Sequence, residues 1–246
     1  MAMRILLTND DGIGAKGILN ARDGLKEIGE VWVVAPDQDK SGVSHSLTLR
    51  QPLRVEEKDD RTFVVSGTPT DCVLLAYHHF IKGGIDLVIA GVNHGYNMGY
   101  DVFYSGTVAA ALQGGILGIR SMAVSSEDIE SAVSHLNGLV EQIMDMGDEN
   151  VVLNINVPRQ PRGLRITRLG KRIYQDEVIK KETECRVGYY VIDGTLSFEL
   201  GSDTDFEAIE HGLISITPLN LDLTDHKVYE EMKRQFHLQL NDRLQI

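Results

Sequence analysis

The sequence predicts an α/β protein, a Rossmann-like three-layer α/β/α fold around a mostly parallel sheet, with an antiparallel hairpin and a helix added near the C-terminus. Two observations predict the parallel body: short aliphatic runs alternate with amphipathic helical patterns through the first half of the chain, and the runs end in loops rich in Gly, Asp, Asn and Pro. A third, the change of texture after Val157, predicts the antiparallel addition. With 246 residues, 42% of them hydrophobic, the chain is long enough to bury a large core.

Ile5 to Thr8 reads as a buried strand, followed by Ile18, Leu25 and Ile28 at helical spacing and by a second strand, Val31 to Ala35, which Pro36 ends. Phe63 to Val65, Asp86 to Ala90 and Met122 to Val124 continue the strand pattern, and the texture changes beyond Val151 to Val157. Helical patterns run from Pro69 to Phe80, Thr107 to Leu117 and Ile129 to Met146. Thr68 is a cap with proline at the first helical position. Arg159 to Gly163 is a basic, turn-rich stretch, and Tyr189 to Leu200 reads as a hairpin turning at Asp193-Gly194. His226 to Leu244 is helical, with Tyr229, Met232, Phe236 and Leu240 in one apolar stripe that docks either on its own core or on another subunit. The whole chain, 1–246, is expected to form one α/β domain. Its core is about 1–160 with 203–222, and 161–202 and 223–246 serve oligomerisation.

Lys and Arg total 24 against 36 Asp and Glu, a net charge of -12. That balance argues against a non-specific binder of nucleic-acid duplexes or anionic membranes, each of which needs a basic face. Cys72 and Cys185 are too few for a disulfide framework and lack zinc-site pairing, and no window resembles a signal peptide or a membrane span, so a cytoplasmic protein is expected.

Gly12-Ile13-Gly14-Ala15-Lys16-Gly17 follows a strand, opens a helix and fits the dinucleotide pattern G-x-G-x-x-G, with Asp37 as a candidate ribose acid. Asn9-Asp10-Asp11 just before it opposes that reading, because two carboxylates beside the turn would repel a pyrophosphate. A cation removes the conflict, and Asp10 and Asp11 therefore read as a hard-metal site at the C-terminal end of a strand. Ser41 in the loop after the second strand and Asn93 and Asn97 in Gly91–Gly99 emerge at the same sheet edge. The set Asp10, Asp11, Ser41 and Asn93 is all oxygen, which favours Mg²⁺, Mn²⁺ or Ca²⁺ over Zn²⁺. Tyr104-Ser105-Gly106-Thr107 leads into a small-residue helix, so free amides and two hydroxyls converge where a phosphate can sit.

With these loops in order, the sequence resembles the SurE family of survival proteins, which are 5'-nucleotidases. The motifs are Leu7-Thr8-Asn9-Asp10-Asp11-Gly12, Ala35-Pro36 with Ser41-Gly42, Ser66-Gly67-Thr68-Pro69 with Asp71-Cys72-Val73, Gly91-Val92-Asn93 with Gly95 and Asn97, Tyr104-Ser105-Gly106-Thr107-Val108, and Asn154-Ile155-Asn156-Val157-Pro158. Ile214 to Leu219 is similar to a late strand of the family. The resemblance implies a cytoplasmic, metal-dependent phosphatase of nucleoside monophosphates. It implies one divalent cation per subunit on Asp10, Asp11, Ser41 and Asn93, with Asp10 and Asp11 catalytic. Asn9, Asn97, Ser105, Gly106 and Thr107 would contact phosphate or substrate. A homodimer or homotetramer exchanging C-terminal elements is also implied. Two other functions stay open at this point, a dinucleotide-dependent oxidoreductase using Gly12–Gly17 and a non-catalytic nucleotide-binding module. The preferred base, the choice between 5' and 3' phosphates and the role of His94 are not legible.

Overall fold

The computed structural model describes residues 2–147, 150–184, 187–199 and 201–243; for 172–176, 182–184, 194–199 and 237–243 it describes the backbone alone. Cys185, the Leu200 and Leu244 ends of two expected elements, and the Leu240 side chain lie outside the description.

In chain order the strands are β1 (Arg4–Thr8), β2 (Glu30–Pro36), β3 (Val55–Asp59), β4 (Thr62–Val65), β5 (Leu87–His94), β6 (Arg120–Ser126), β7 (Val152–Asn156), β8 (Leu164–Ile166), β9 (Lys171–Glu184), β10 (Val187–Glu199) and β11 (Ile214–Leu219). The helices are α1 (Lys16–Leu25), α2 (Pro69–Leu75), α3 (Gly106–Ile116), α4 (Ile129–Met144), α5 (Asp205–Glu210) and α6 (His226–Arg243). Nine strands form one sheet in the order β3-β4-β2-β1-β5-β6-β7-β11-β8. The run from β4 to β7 is parallel throughout, and β3 and β11 pair antiparallel to β4 and β7.

Two apolar layers flank this sheet because the central strands are buried on both faces. Ile5, Leu7, Leu87 and Ile89 pack with Ile18, Leu25, Leu136 and Ile143 of α1 and α4, while Leu6, Val88 and Ala123 pack with Val73, Val108 and Ala111 of α2 and α3. This is the expected three-layer α/β/α body. Reversal of strand order between β2-β1 and β5-β6 opens a crevice outside the C-terminal ends of β1 and β5, where open α/β sheets bind ligands.

The helix expected over Pro69 to Phe80 is α2 continued by a π turn, Ala76–Phe80. Its start is a capping box: Thr68 accepts the Asp71 N–H, Asp71 accepts the Thr68 N–H, and Pro69 fills the first turn. The Asp71 carboxylate also accepts the Thr48 N–H at 2.9 Å and its hydroxyl at 2.7 Å, so this motif ties down the loop that follows Ser41.

The expected antiparallel hairpin is present as β9 and β10, but its turn is not at Asp193-Gly194. Asp193 and Gly194 lie inside β10, opposite Glu177 and Asp176 of β9, and the two strands form an antiparallel ribbon in which Val187 faces Glu184 and Glu199 faces Lys171. The Asp-Gly signal fails because the ribbon pairs with itself outside the main sheet, and a glycine in an unpacked strand displaces no core side chain. β3, β8 and α5 were not legible. β3 is Val-Glu-Glu-Lys-Asp with every residue exposed, a charged edge strand without alternation. α6 runs over the expected residues, and its described side chains through Phe236 are exposed, including Tyr229, Met232 and Phe236, so the stripe does not dock on its own core. No helix among the described residues is long and apolar enough to cross a membrane.

Gly17 shows what its glycine turn is for. A Cβ there would stand 1.8 Å from the Val92 carbonyl oxygen, whereas one on Gly14 would meet nothing within 4 Å. Only a glycine lets α1 approach β5 so closely. Gly17→Ala should therefore lower stability by about 3 kcal/mol or prevent folding, while Gly14→Ala stays within about 0.5 kcal/mol, as measured by urea denaturation.

Candidate functional site

β1 ends at Thr8, and the next residues turn at the sheet edge. Asn9 is buried, and its Nδ2 donates to the Gly12 carbonyl at 2.8 Å, so its amide closes the turn and does not line the cleft. Gly12 takes φ +92°, a left-handed conformation suited to glycine. The loop after β2 lies across this turn through Ile13 N–H to Pro36 O at 2.9 Å and Lys40 N–H to Asp10 O at 2.7 Å.

Asp10 is almost fully buried against the N-terminus of α3. The Thr107 hydroxyl, itself fully buried, donates to Asp10 Oδ1, and a Cβ on Gly106 would stand 2.9 Å from the Asp10 Cβ. Gly106 and Thr107 therefore serve Asp10 from behind. Burial pushes the Asp10 carboxyl above its ordinary range, against the lowering effect of its hydrogen bonds from Thr107. Asp11, half-buried, is raised by burial and then by the Asp10 charge, and it accepts the His94 N–H at 3.4 Å.

Ser41 is exposed. Both its N–H and its hydroxyl donate to Asp39 Oδ1, at 2.7 and 2.6 Å, which leaves the Oγ lone pairs open and holds the Asp39 carboxyl below the usual range. Asn93 Nδ2 donates to the Gly95 carbonyl at 2.9 Å, which turns its Oδ1 toward Thr107, 3.5 Å away, and the cleft. Two crowded carboxylates whose burial favours protonation, with a hydroxyl and a carboxamide oxygen beside them, make a donor set that fits a hard divalent cation. Among the described residues no group of three or more His, Cys, Asp or Glu offers an alternative metal cluster.

Ser105 caps α3, its Oγ accepting the Val108 N–H at 3.1 Å, so its own O–H remains able to donate. The cleft, about 300 Å³, is lined by Asp10, Ser41, Gly42, Asn93, His94, Asn97, Asp101, Tyr104 and Ser105. Of the expected site residues it thus gathers Asp10, Ser41, Asn93, Asn97 and Ser105, while Asp11, Asn9, Gly106 and Thr107 lie around it. His94, whose role the sequence leaves open, Tyr104 of the Tyr104–Thr107 motif and Asp101 line it as well. Their signal was their place in the Gly91–Gly99 loop and in the turn before the Ser105 cap.

Beneath the cleft a polar frame holds its far wall. Asn156 Oδ1 accepts the Asn97 N–H at 2.9 Å, Asn154 and Asn156 both donate to the Asn97 carbonyl at 2.8 and 3.0 Å, and Asn97 Nδ2 donates to Ser125 Oγ at 2.9 Å. Asp205 accepts the N–H groups of Gly99 and Gly170 at 2.7 and 2.8 Å. Burial, with the Asp205 charge nearby, lifts Asp101 to about 6. Asn154 and Asn156 were readable as two amides on one face of an otherwise apolar strand; Asp205, 106 residues from its partner Gly99, carried no local signal.

A doubly wound sheet with adjacent carboxylates against a helix N-terminus outside its strand ends defines an α/β protein of the kind that binds ligands at the carboxyl edge of its sheet. Within that class the chain belongs to the SurE family, since the model for Survival protein SurE matches residues 5–176. The 5'-nucleotidase SurE of Vibrio campbellii is 46% identical over 240 residues, covering 94% of this chain and 93% of that protein. That of Brucella canis is 43% identical over 247 residues, covering 94% and 97%. The crystal structure of SurE protein from Aquifex aeolicus, 38% identical, superposes with a TM-score of 0.83 and covers 94% of this chain and 99% of that one.

Thr107→Val keeps the shape and deletes the donor to a buried carboxylate. It should cost about 1–3 kcal/mol in urea denaturation, whereas Thr107→Ser, which retains the hydroxyl, should cost less than half of that.

Proposed function

We propose that this chain is a metal-dependent 5'-nucleotidase that hydrolyses nucleoside monophosphates to nucleoside and phosphate. The observation that carries the reading is the abutment of Asp10 on the N-terminus of α3, which sets carboxylate donors and phosphate-binding groups in one cleft. The names of the relatives, 5'-nucleotidase SurE, support it.

Asp10, Asp11, Ser41 Oγ and Asn93 Oδ1 would hold one Mg²⁺, Mn²⁺ or Ca²⁺ ion, which when bound supplies Lewis-acid polarisation of the phosphoryl group. The Ser105 hydroxyl and the Gly106 N–H receive phosphoryl oxygens, the Thr107 and Val108 N–H groups being taken by Asp10 and Ser105 Oγ, and their fixed direction costs no reorganisation as charge shifts during transfer. Asn97 lines the same cleft, with its backbone held by Asn154 and Asn156 and its Nδ2 donating to Ser125 Oγ. Asp10 or Asp11 orients the attacking water in line with the leaving oxygen and accepts its proton. The glycines of the first turn need no dinucleotide to explain them, because Gly12 serves a left-handed turn and Gly17 a close approach. A cytoplasmic location is part of the proposal, supported by the buried free thiol of Cys72.

The assay uses protein stripped of metal by a chelator and given AMP, GMP and p-nitrophenyl phosphate. Adding Mg²⁺ or Mn²⁺ should restore phosphate release at least tenfold. NADH binding with no phosphate release would overturn the proposal in favour of an oxidoreductase, and nucleotide binding with neither would favour a binding module. Asp10→Asn and Asp11→Asn should each lower kcat/KM by about 100-fold or more while circular dichroism stays native, because charge is lost with little change of volume.

A homodimer or homotetramer is also proposed, with the β9–β10 ribbon and α6 contacting another subunit. The exposed Val187, Tyr189, Tyr190 and Ile192 of the ribbon and Tyr229, Met232 and Phe236 of α6 support it, since apolar surface of this extent is seldom left to water. Light scattering should give a multiple of 27.3 kDa, and truncation before Asp225 should lower both that mass and the thermal midpoint while cation affinity persists. A monomer of the intact chain would refute this assembly.

A further inference from the structure

A nucleoside monophosphate whose phosphate lies on Ser105 and the Gly106 N–H must extend its ribose and base from the cleft. Of the nine described residues that line the cleft, only Tyr104 and His94 carry a ring; the rest are carboxylates, carboxamides, serines and a glycine. An aromatic base therefore has two possible stacking surfaces there.

Tyr104 is the better placed of the two. It immediately precedes the Ser105 cap, so its ring departs from the chain one residue away from the phosphate-binding groups. Its backbone is pinned on both sides, its N–H donating to the Asp101 carbonyl at 2.9 Å and its carbonyl accepting the Ser44 N–H at 2.9 Å. The side chain is nonetheless 61% exposed, a large aromatic surface left bare on a fixed backbone. The adjacent ring, Phe103, lines a separate apolar groove with Val102, Leu112 and Leu223, so two successive aromatics serve opposite sides of one turn. His94 instead sits beside Asn93, with its N–H on the Asp11 carboxylate.

We propose that Tyr104 is the nucleoside platform of this site, a specificity-determining residue on which the base of the substrate stacks. The inference rests on the nucleotidase reading and deepens it. Stacking uses the π-face that every base has, so the platform selects nucleotides over aliphatic phosphates without choosing among the bases. No polar lining group is needed for base recognition, which leaves Ser105, Asn97 and the carboxylates to the phosphate end.

The test compares kcat/KM for AMP, GMP, CMP and UMP with that for glycerol phosphate, with Mn²⁺ present, in the wild type, Tyr104→Ala, Tyr104→Phe, Tyr104→Trp and His94→Ala. Tyr104→Ala should lower the nucleotide-to-glycerol-phosphate ratio about tenfold or more for all four nucleotides, mainly through KM. Tyr104→Phe and Tyr104→Trp should restore it to within about twofold, since they keep a π-face. An unchanged ratio in Tyr104→Ala, a loss shared equally by glycerol phosphate, or a drop confined to His94→Ala would overturn the proposal. Calorimetric titration of AMP into the wild type and Tyr104→Ala separates the two levels. If the wild type turns over no phosphate ester, the nucleotidase reading fails, yet a weaker AMP affinity in Tyr104→Ala still supports the platform and an equal affinity refutes it.

Discussion

The contact between Asp10 and the start of α3 organises the molecule's chemistry. The carboxylate at the end of β1 lies against Gly106 and accepts the Thr107 hydroxyl, and a helix N-terminus is one of few places where the fold can stabilise buried negative charge. That arrangement needs a glycine where the helix touches the strand end and a donor one residue later. It also fixes the distance between the acidic half of the cleft and Ser105, because Ser105 caps the helix on which Asp10 rests. Asp11, Asn93 and Ser41 are then added from neighbouring loops, each oriented by a local bond: the His94 N–H, the Gly95 carbonyl and the Asp39 carboxylate.

A second constraint works from below. The segment from Asn97 to Asp101 forms the far wall of the cleft, and its backbone is held by carboxamides of β7 and by the Asp205 carboxylate of α5. These partners are themselves buried, so each lost bond would leave a desolvated group unpaired, which makes the wall difficult to shift. Rigid support from below and bare surface above suit a site whose polar groups must be fixed while its ligand enters from solvent.

Much of this was legible in the sequence, for a physical reason. Strand ends in a parallel sheet converge at one edge, so Asn9-Asp10-Asp11, Ser41 and Asn93 could be brought together from the order of strands alone. The Tyr104-to-Thr107 turn read correctly as the start of a helix. What escaped depends on pairing between distant segments. Asp205 meets Gly99 across 106 residues, and β8 exists through its pairing with β11. Gly106 and Thr107 read as phosphate ligands, and their part in seating Asp10 appears only once the start of α3 lies against the turn after β1. The Asp193-Gly194 dipeptide misled because turn propensity is local, while the register of the β9–β10 ribbon is set along its full length.

The place of β11 bears on how the chain is made. It lies between β7 and β8 in the sheet, yet it follows both in sequence, with the whole ribbon and α5 intervening. A ribosome adding about 5–20 residues per second finishes β7 several seconds before β11 exists. During that interval the nascent sheet ends in an open strand bearing the two asparagines of the frame, and β8 has no neighbour to join. An uncovered strand edge is the template on which chains misassociate. The protein's exposure to aggregation during synthesis is therefore set less by its apolar core than by the delay before one late strand closes the sheet.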